Sequence, residues 1–312
     1  MSLLEEQTQY GTLKGIHKLT RYPDGALKDC TLVVPNLIQT PYGELAPQYE
    51  DDGLRRKFTH SLSFHPNGTL KSISLQEQTV FKTAQGDIPA ELVTFYEDGS
   101  IHRVFPLNGK LSGFWAEKNE YELEPVLHFE TTQLAFDQKI IGVSFYPGGA
   151  VHSFTFWPRD AVTVELPFGK VATRIGLAFY ENGAVKSLEP RLPTPVQTPI
   201  GEIVAYDVDA VGVNGDINSL SLHEDGGLQT ITTDANVVTV RQPGGTPVTC
   251  APSLHMSHFE DEVMRVEPLV IRFEDGRAIF PQGAFSLADC TFTVEHFDPK
   301  GVKVSNDCEG CK

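Results

Sequence analysis

The sequence predicts an all-β chain of antiparallel β-hairpin repeats in a long twisted sheet, internally duplicated. Three observations lead there. At a shift of 158 positions Gly11, Gly25, Gly43, Gly68 and Gly86 fall on Gly169, Gly183, Gly201, Gly226 and Gly244. Text around them repeats as well: Gln39-Thr40-Pro41-Tyr42-Gly43-Glu44 returns as Gln197-Thr198-Pro199-Ile200-Gly201-Glu202, and Ser61-Leu62-Ser63 as Ser219-Leu220-Ser221. Repetition at a fixed period is the mark of a duplicated architecture. The third observation is a turn phrase met seven times, and no long window keeps helical periodicity.

The turn phrase reads Arg21-Tyr22-Pro23-Asp24-Gly25, Phe64-His65-Pro66-Asn67-Gly68, Phe95-Tyr96-Glu97-Asp98-Gly99, Phe145-Tyr146-Pro147-Gly148-Gly149, Phe179-Tyr180-Glu181-Asn182-Gly183, Leu222-His223-Glu224-Asp225-Gly226 and Phe273-Glu274-Asp275-Gly276. Asp-Gly or Asn-Gly between apolar residues signals a hairpin, because glycine accepts the positive φ that side chains resist. Pro23, Pro66 and Pro147 preset the first central position of a type I turn, which predicts a three-residue loop closing in a glycine bulge.

That loop sets Phe64 opposite Leu70, Phe145 opposite Val151 and Phe179 opposite Val185. Two residues further out it predicts Leu62 against Ser72, Val143 against Ser153 and Leu177 against Ser187. The other face, with Ser63, His65 and Lys71 or Ser144, Tyr146 and His152, is expected to be wetter. Each cross-strand pair contributes about 0.2–1 kcal/mol, too little for a lone hairpin, so the units must stack.

A second phrase supplies the return turns: Thr8-Gln9-Tyr10-Gly11, Thr40-Pro41-Tyr42-Gly43, Gln85-Gly86-Asp87, Pro167-Phe168-Gly169 and Thr198-Pro199-Ile200-Gly201. Between the two phrases run β-branched segments such as Ile73 to Phe81, Ala161 to Leu166 and Val237 to Val240, read as strands. One helical or irregular excursion is expected at Ser253 to Met264. The organisation expected is a first copy over 1–114, a connecting hairpin segment over 115–165, a second copy over 166–290 and a C-terminal strand with polar tail over 291–312. The second copy carries about 19 extra residues near 247–266. A decoration on one copy of a duplicated scaffold is where function is sought first.

The phrase aromatic-Tyr-x-[Asn/Asp]-Gly-x-apolar-[Lys/His]-Ser resembles the MORN-repeat variant of bacterial proteins, some of them of antitoxin type. The resemblance extends from about Gly11 to Gly283. It implies β-hairpins laid side by side and a binding or scaffolding role without catalysis. One turn glycine serves each hairpin here, where the ordinary MORN pattern spaces several within one repeat. A seven-bladed β-propeller is the alternative architecture, since the seven phrases recur about every 42 residues. The individual gaps run from 31 to 50 residues, more uneven than blades usually are.

Bulk properties narrow the partners. The 312 residues, 40% of them hydrophobic, can build a substantial core. A net charge of −16 repels nucleic-acid phosphates and anionic headgroups, so neither nucleic acid nor membrane insertion is expected, and a basic partner or a neutral small ligand fits better. Acidic residues near the start, Glu5 and Glu6, and the absence of a long apolar run point to a cytoplasmic protein. Five cysteines, two among the last five residues, read as reduced thiols.

Candidate chemistry is sparse. Cys250, His255 and His258 with Cys308 and Cys311 would supply the thiolates and imidazoles that tetrahedral zinc takes. A solvated tail and surface histidines form the competing reading. Asp207, Asp209, Asn214 and Asp216 offer oxygens suited to calcium, but Val211 and Asn218 stand where an EF-hand needs ligands. Arg55-Arg56-Lys57 reads as a solvated guard on a sheet edge. His65, His102, His152 and His223 occupy repeat slots, which favours structure over catalysis. Trp115, Trp157, Tyr96, Tyr146 and Tyr180 either line a binding face or pack between strands. No phosphate-cradling loop, nucleophile elbow or His-Glu-x-x-His is present. The leading expectation is a non-enzymatic scaffold binding a protein partner through a sheet face or inter-copy groove. The alternative is a metal-dependent binder or hydrolase at the junction of the copies.

Overall fold

A computed structural model describes residues 4–110, 115–210, 218–256 and 264–298. Two compact units divide the chain, Met1–Val162 with Ala178–Ala184, and Thr163–Leu177 with Val185–Lys312. Antiparallel hairpins build both.

In the first unit nine strands pair in succession: Leu4–Thr8, Gly11–Arg21, Leu27–Leu32, Leu62–Phe64, Leu70–Thr83, Gly86–Phe95, Ile101–Phe105, Ile140–Phe145 and Val151–Phe156. So long an unbroken order contains no four-stranded blades, and the propeller is not the fold of this unit. In the second unit Val185–Pro190, Leu220–Leu222, Leu228–Thr233, Leu269–Glu274, Arg277–Phe280 and Gly283–Ser286 pair in the same manner. A smaller sheet there sets Asn236–Arg241 between Val248–Cys250 and the strand Thr291–His296.

The duplication is visible in the register. Cys30, Leu62, Ile73 and Val93 face one another in turn across the first unit. Leu188, Leu220, Ile231 and Ile271 do so across the second. The first three of each set are 158 positions apart, and every one of the eight is buried. In the first unit this apolar row continues through Val104, Val143 and Phe154. Separate hairpins close over it. Phe129 and Phe136 of the hairpin Leu127–Glu130 and Ala135–Gln138 meet Phe154 with ring centroids 4.7 and 5.2 Å away. Tyr42, at the tip of the hairpin Ile38–Thr40 and Gly43–Leu45, stacks on Phe95 at 5.5 Å.

Six of the seven turn phrases form the expected three-residue loop. Gly68 N–H donates to the His65 carbonyl at 2.9 Å and His65 N–H to the Thr69 carbonyl at 2.8 Å, and Tyr22, Tyr96, Tyr146, Tyr180 and His223 repeat the pattern. The six glycines lie between φ +81° and +90°. The seventh phrase differs: Glu274 pairs directly with Arg277, leaving Asp275 (φ +49°) and Gly276 (φ +69°) as a two-residue turn. Positive φ at both central residues is the type I′ signature.

One register expectation fails. Phe64 does face Leu70 and Phe145 faces Val151, but Ser63 then meets Ser72 and Leu62 meets Ile73, while Val143 meets Phe154. A second bulge, one residue beyond the first pair, admits an extra residue into each returning strand. Lys28, Lys71, His102, His152 and Gln229 fill that slot in five hairpins. The slot is the Lys/His place of the turn phrase, and its effect is to pair apolar with apolar and polar with polar.

Of the expected excursion at Ser253 to Met264, residues 257–263 lie outside the described residues, and the two ends are strands. Strands Ser253–Met256 and Met264–Glu267 pair there, with Leu254 opposite Val266. Among the described residues the α-helix is Glu117–Leu123 instead. Asn119 Oδ1 accepts from the Ala116 N–H at 3.0 Å, and Glu117 and Glu120 place negative charge in the first turn. Seven residues are too few to leave a periodic trace in the sequence. No helix among the described residues is long and apolar enough to cross a membrane.

Candidate functional site

In four of the turn phrases the second residue is a staple. Tyr22 donates its hydroxyl to the Phe64 carbonyl at 2.9 Å, Tyr96 to the Phe145 carbonyl at 2.8 Å and Tyr146 to the Phe179 carbonyl at 2.9 Å. His65 Nε2 stands 3.0 Å from the Phe95 carbonyl, which makes that nitrogen the protonated donor of the ring. Five successive hairpin tips are thereby tied in a row, from Tyr22 to Phe179. On the face expected to be wet Lys71 is exposed, whereas Ser63 and Ser144 are buried, as is Ser153, which the true register brings opposite Ser144.

Those serines belong to a polar row on the side opposite the apolar one. It runs Thr20, Asp29, Ser63, Ser72, Thr94, Arg103, Ser144 and Ser153, one residue per strand. A cavity of about 600 Å³ opens along its middle, with Asp29, Ser63, Ser72, Thr94 and Arg103 on its lining. Leu92 and Phe105, paired with each other one step from Thr94 and Arg103, give it an apolar part. The bulge residues Lys71 and His102 complete the side nearest the turns. A bulge re-aims the side chain it carries, and here two bulges aim cationic or ionisable groups at one groove.

Electrostatics in the groove are mixed. Burial would push Asp29 up, but hydrogen bonds from Ser63 and Thr20, helped by His60 and Lys28, hold it below the usual carboxylate range. Its carboxylate is therefore ionised at neutral pH. His102, its ring centroid 4.4 Å from that of Tyr96 and tilted 40° to it, is held down by burial and then by Arg103 and His152, so it stays neutral. Lys71 makes no ion pair among the described residues, and Glu97 sits exposed on the rim, 4.0 Å from His65 Nδ1. The groove is lined by apolar Leu92 and Phe105 together with groups of both charges, and it has room for a side chain or short segment.

A second cluster lies around the helix. Arg56 is only 7% exposed. It donates to the carbonyls of Gln76 at 2.6 Å and of Leu75, and its Nε lies 3.6 Å from Glu91. Arg55 pairs with Glu91 and, at 3.2 Å, with Glu120, whose other oxygen accepts from Trp115 Nε1 at 2.6 Å. Sequence reading had made Arg55 and Arg56 a solvated edge guard. They are instead the cations of a buried network, because the carboxylates that bury them are distant in the chain. Lys57 alone is exposed.

Of the residues expected to bind metal, the described ones are Cys250 and His255. Cys250 is fully buried opposite Val238, and burial pushes its thiol up to about 11, which keeps the proton on sulfur. His255 is exposed, paired with Arg265. His258, Cys308 and Cys311 lie outside the described residues. Among the described residues no group of three or more His, Cys, Asp or Glu could hold a metal ion. Asp207 and Asp209 are engaged locally: Asp209 N–H donates to Asp207 Oδ1 at 2.9 Å, and Arg265 lies 3.5 Å from Asp209. Asn214 and Asp216 fall outside the described residues. Tyr96 and Tyr146 are staples, while Trp115 and Trp157 flank the helix, the latter edge-on to Tyr121 at 5.7 Å.

Fold and groove together define an all-β hairpin-repeat protein with a polar groove on a sheet face. No family model, curated protein or solved structure matches the chain.

Proposed function

We propose that this is a cytoplasmic, non-enzymatic scaffold of MORN-like hairpins that binds a protein partner through the groove of its first unit. The observation that carries the reading is the gathering of Lys71, His102, Arg103 and Asp29 with Leu92 and Phe105. Four of these come from repeat slots or from the row that register dictates, so the scaffold itself creates the surface. An acidic chain steers a basic partner toward it, and the groove then reads that partner with both signs of charge.

A photo-crosslinking amino acid at Leu92, compared with one at the exposed Val80, tests this in cells. A single crosslinked protein is expected at Leu92 and not at Val80, and it should vanish when Lys71 and Arg103 are both changed to Glu. Equal capture at the two positions, or capture indifferent to the charge reversals, overturns the reading.

A further inference from the structure

Glu124 ends the helix, and it is the least solvated carboxyl of the buried cluster, 3% exposed with no hydrogen-bond partner on either oxygen. Its neighbours explain why that state persists. Glu120 faces it from the helix and Glu91 from the strand Gly86–Phe95. The cations nearby are committed elsewhere. Arg55 is shared between Glu91 and Glu120, and Arg56 is held by Glu91 and two carbonyls. Lys139 donates to the Tyr121 carbonyl at 2.8 Å and lies 4.3 Å over the Tyr121 ring. Arg159 covers the same ring at 4.2 Å, and Asp160 accepts from the Tyr121 hydroxyl at 3.1 Å. A third negative charge would enter this site with no free counter-charge and no donor. An unpaired buried carboxylate is among the costliest things a fold can hold, so the group keeps its proton or the surroundings give way.

What gives way is identifiable. The helix is short: Glu120 ties it to Arg55 and Trp115 and lies against Gly109, and Tyr121 ties it to Asp160 and Trp157. A Cβ on Gly109 would stand 2.2 Å from the Glu120 carboxylate, so the contact exists only because that residue has no side chain. We propose that Glu117–Glu124 is a proton-dependent latch, docked while Glu124 is protonated and released from Gly109 and Arg55 when Glu124 ionises. Local release of one short segment costs far less than global unfolding, and a change of one buried charge suffices to bias it. Burial first, then Glu120 and Glu91, push the Glu124 carboxyl up to about 9, with Lys139 and Arg55 offsetting part of the effect. The latch therefore holds at neutral pH and opens in alkali.

The protein carries its own reporter, since its two tryptophans, Trp115 and Trp157, both touch this segment. Tryptophan emission should shift to the red with a midpoint near pH 9, and acrylamide quenching should rise in step. Glu124→Gln keeps the shape and removes the charge, and it should abolish the transition. Tyr121→Phe should leave it in place. Tyr121 is itself raised by burial and by Asp160, so its own ionisation falls above its ordinary value. A transition that survives in Glu124→Gln, or none in the native protein, overturns the proposal. Should Glu124→Gln not fold, amide exchange of the native chain decides. Protection at Glu120 and Glu124 should be lost across the same range while Val93 stays protected, and uniform behaviour of the three defeats the latch.

Discussion

The hydroxyl of Tyr96 donates to the carbonyl of Phe145 at 2.8 Å, joining two hairpin tips that lie 49 residues apart in sequence. Tyr22 and Tyr146 make the same bond to the next tip in their own part of the sheet. The turn phrase thus encodes both a bend and the means of attaching it to its neighbour.

Tyr96→Phe removes only the donor. Loss of one such bond should lower stability by about 0.5–1.5 kcal/mol, the usual net worth of one hydrogen bond. Urea unfolding of Tyr96→Phe beside Tyr22→Phe and Tyr146→Phe checks this, and three unchanged midpoints would show the staples to be idle.

Gly68→Ala tests the turn itself. No atom lies within 4 Å of the place a Cβ would take, and the backbone sits at φ +81°. Any penalty is then conformational, about 1–2 kcal/mol for an alanine in the left-handed region. Substitution without loss of thermal stability would contradict the bulge geometry.

Leu62 and Leu220 hold the same place in the two copies, each between matched apolar partners and each almost fully buried. Truncation of either to alanine should cost about 2–5 kcal/mol, as for other large-to-small core changes. Calorimetry that finds one copy insensitive would break the equivalence that their registers share.

Glu124 makes stability depend on pH in a fixed direction. Its folded value of about 9 exceeds the 4.5 of a free carboxyl, so between these limits the native state holds a proton the unfolded chain has lost. Its contribution is whole below the lower value and is drained as pH rises toward the upper one. The slope is at most about 1.4 kcal/mol per pH unit for one proton. Glu124→Gln should therefore gain on the native protein as pH climbs through that interval. A difference between the two that stays flat with pH would exclude the buried acid.

Much of the fold was legible in the sequence, and the reasons are local. Asp24-Gly25 or Asn67-Gly68 fixes a turn within five residues, and the 158-residue offset needs only a comparison of the chain with itself. The second bulge was not legible. Lys71 and His102 carry no mark of being the extra residue in a strand, and the slip shows only when Leu62 is seen to choose Ile73 over Ser72. Arg55 and Arg56 were misread for a related reason. Their partners Glu91 and Glu120 lie tens of residues away, and no spacing rule brings a loop, a strand and a seven-residue helix together. The groove was half legible, since its aromatic and ionisable members stood in recognised slots while its polar row emerged only with the true register.

The staples address main-chain carbonyls, which every amino acid possesses. A hairpin joined in this way makes no demand on the identity of the side chain it meets next. Strands can therefore drift in sequence, and whole ribbons can be gained or deleted during evolution, while the joints stay intact. Conservation concentrated at a few tip positions, with wide latitude elsewhere, is the pattern such a joint permits.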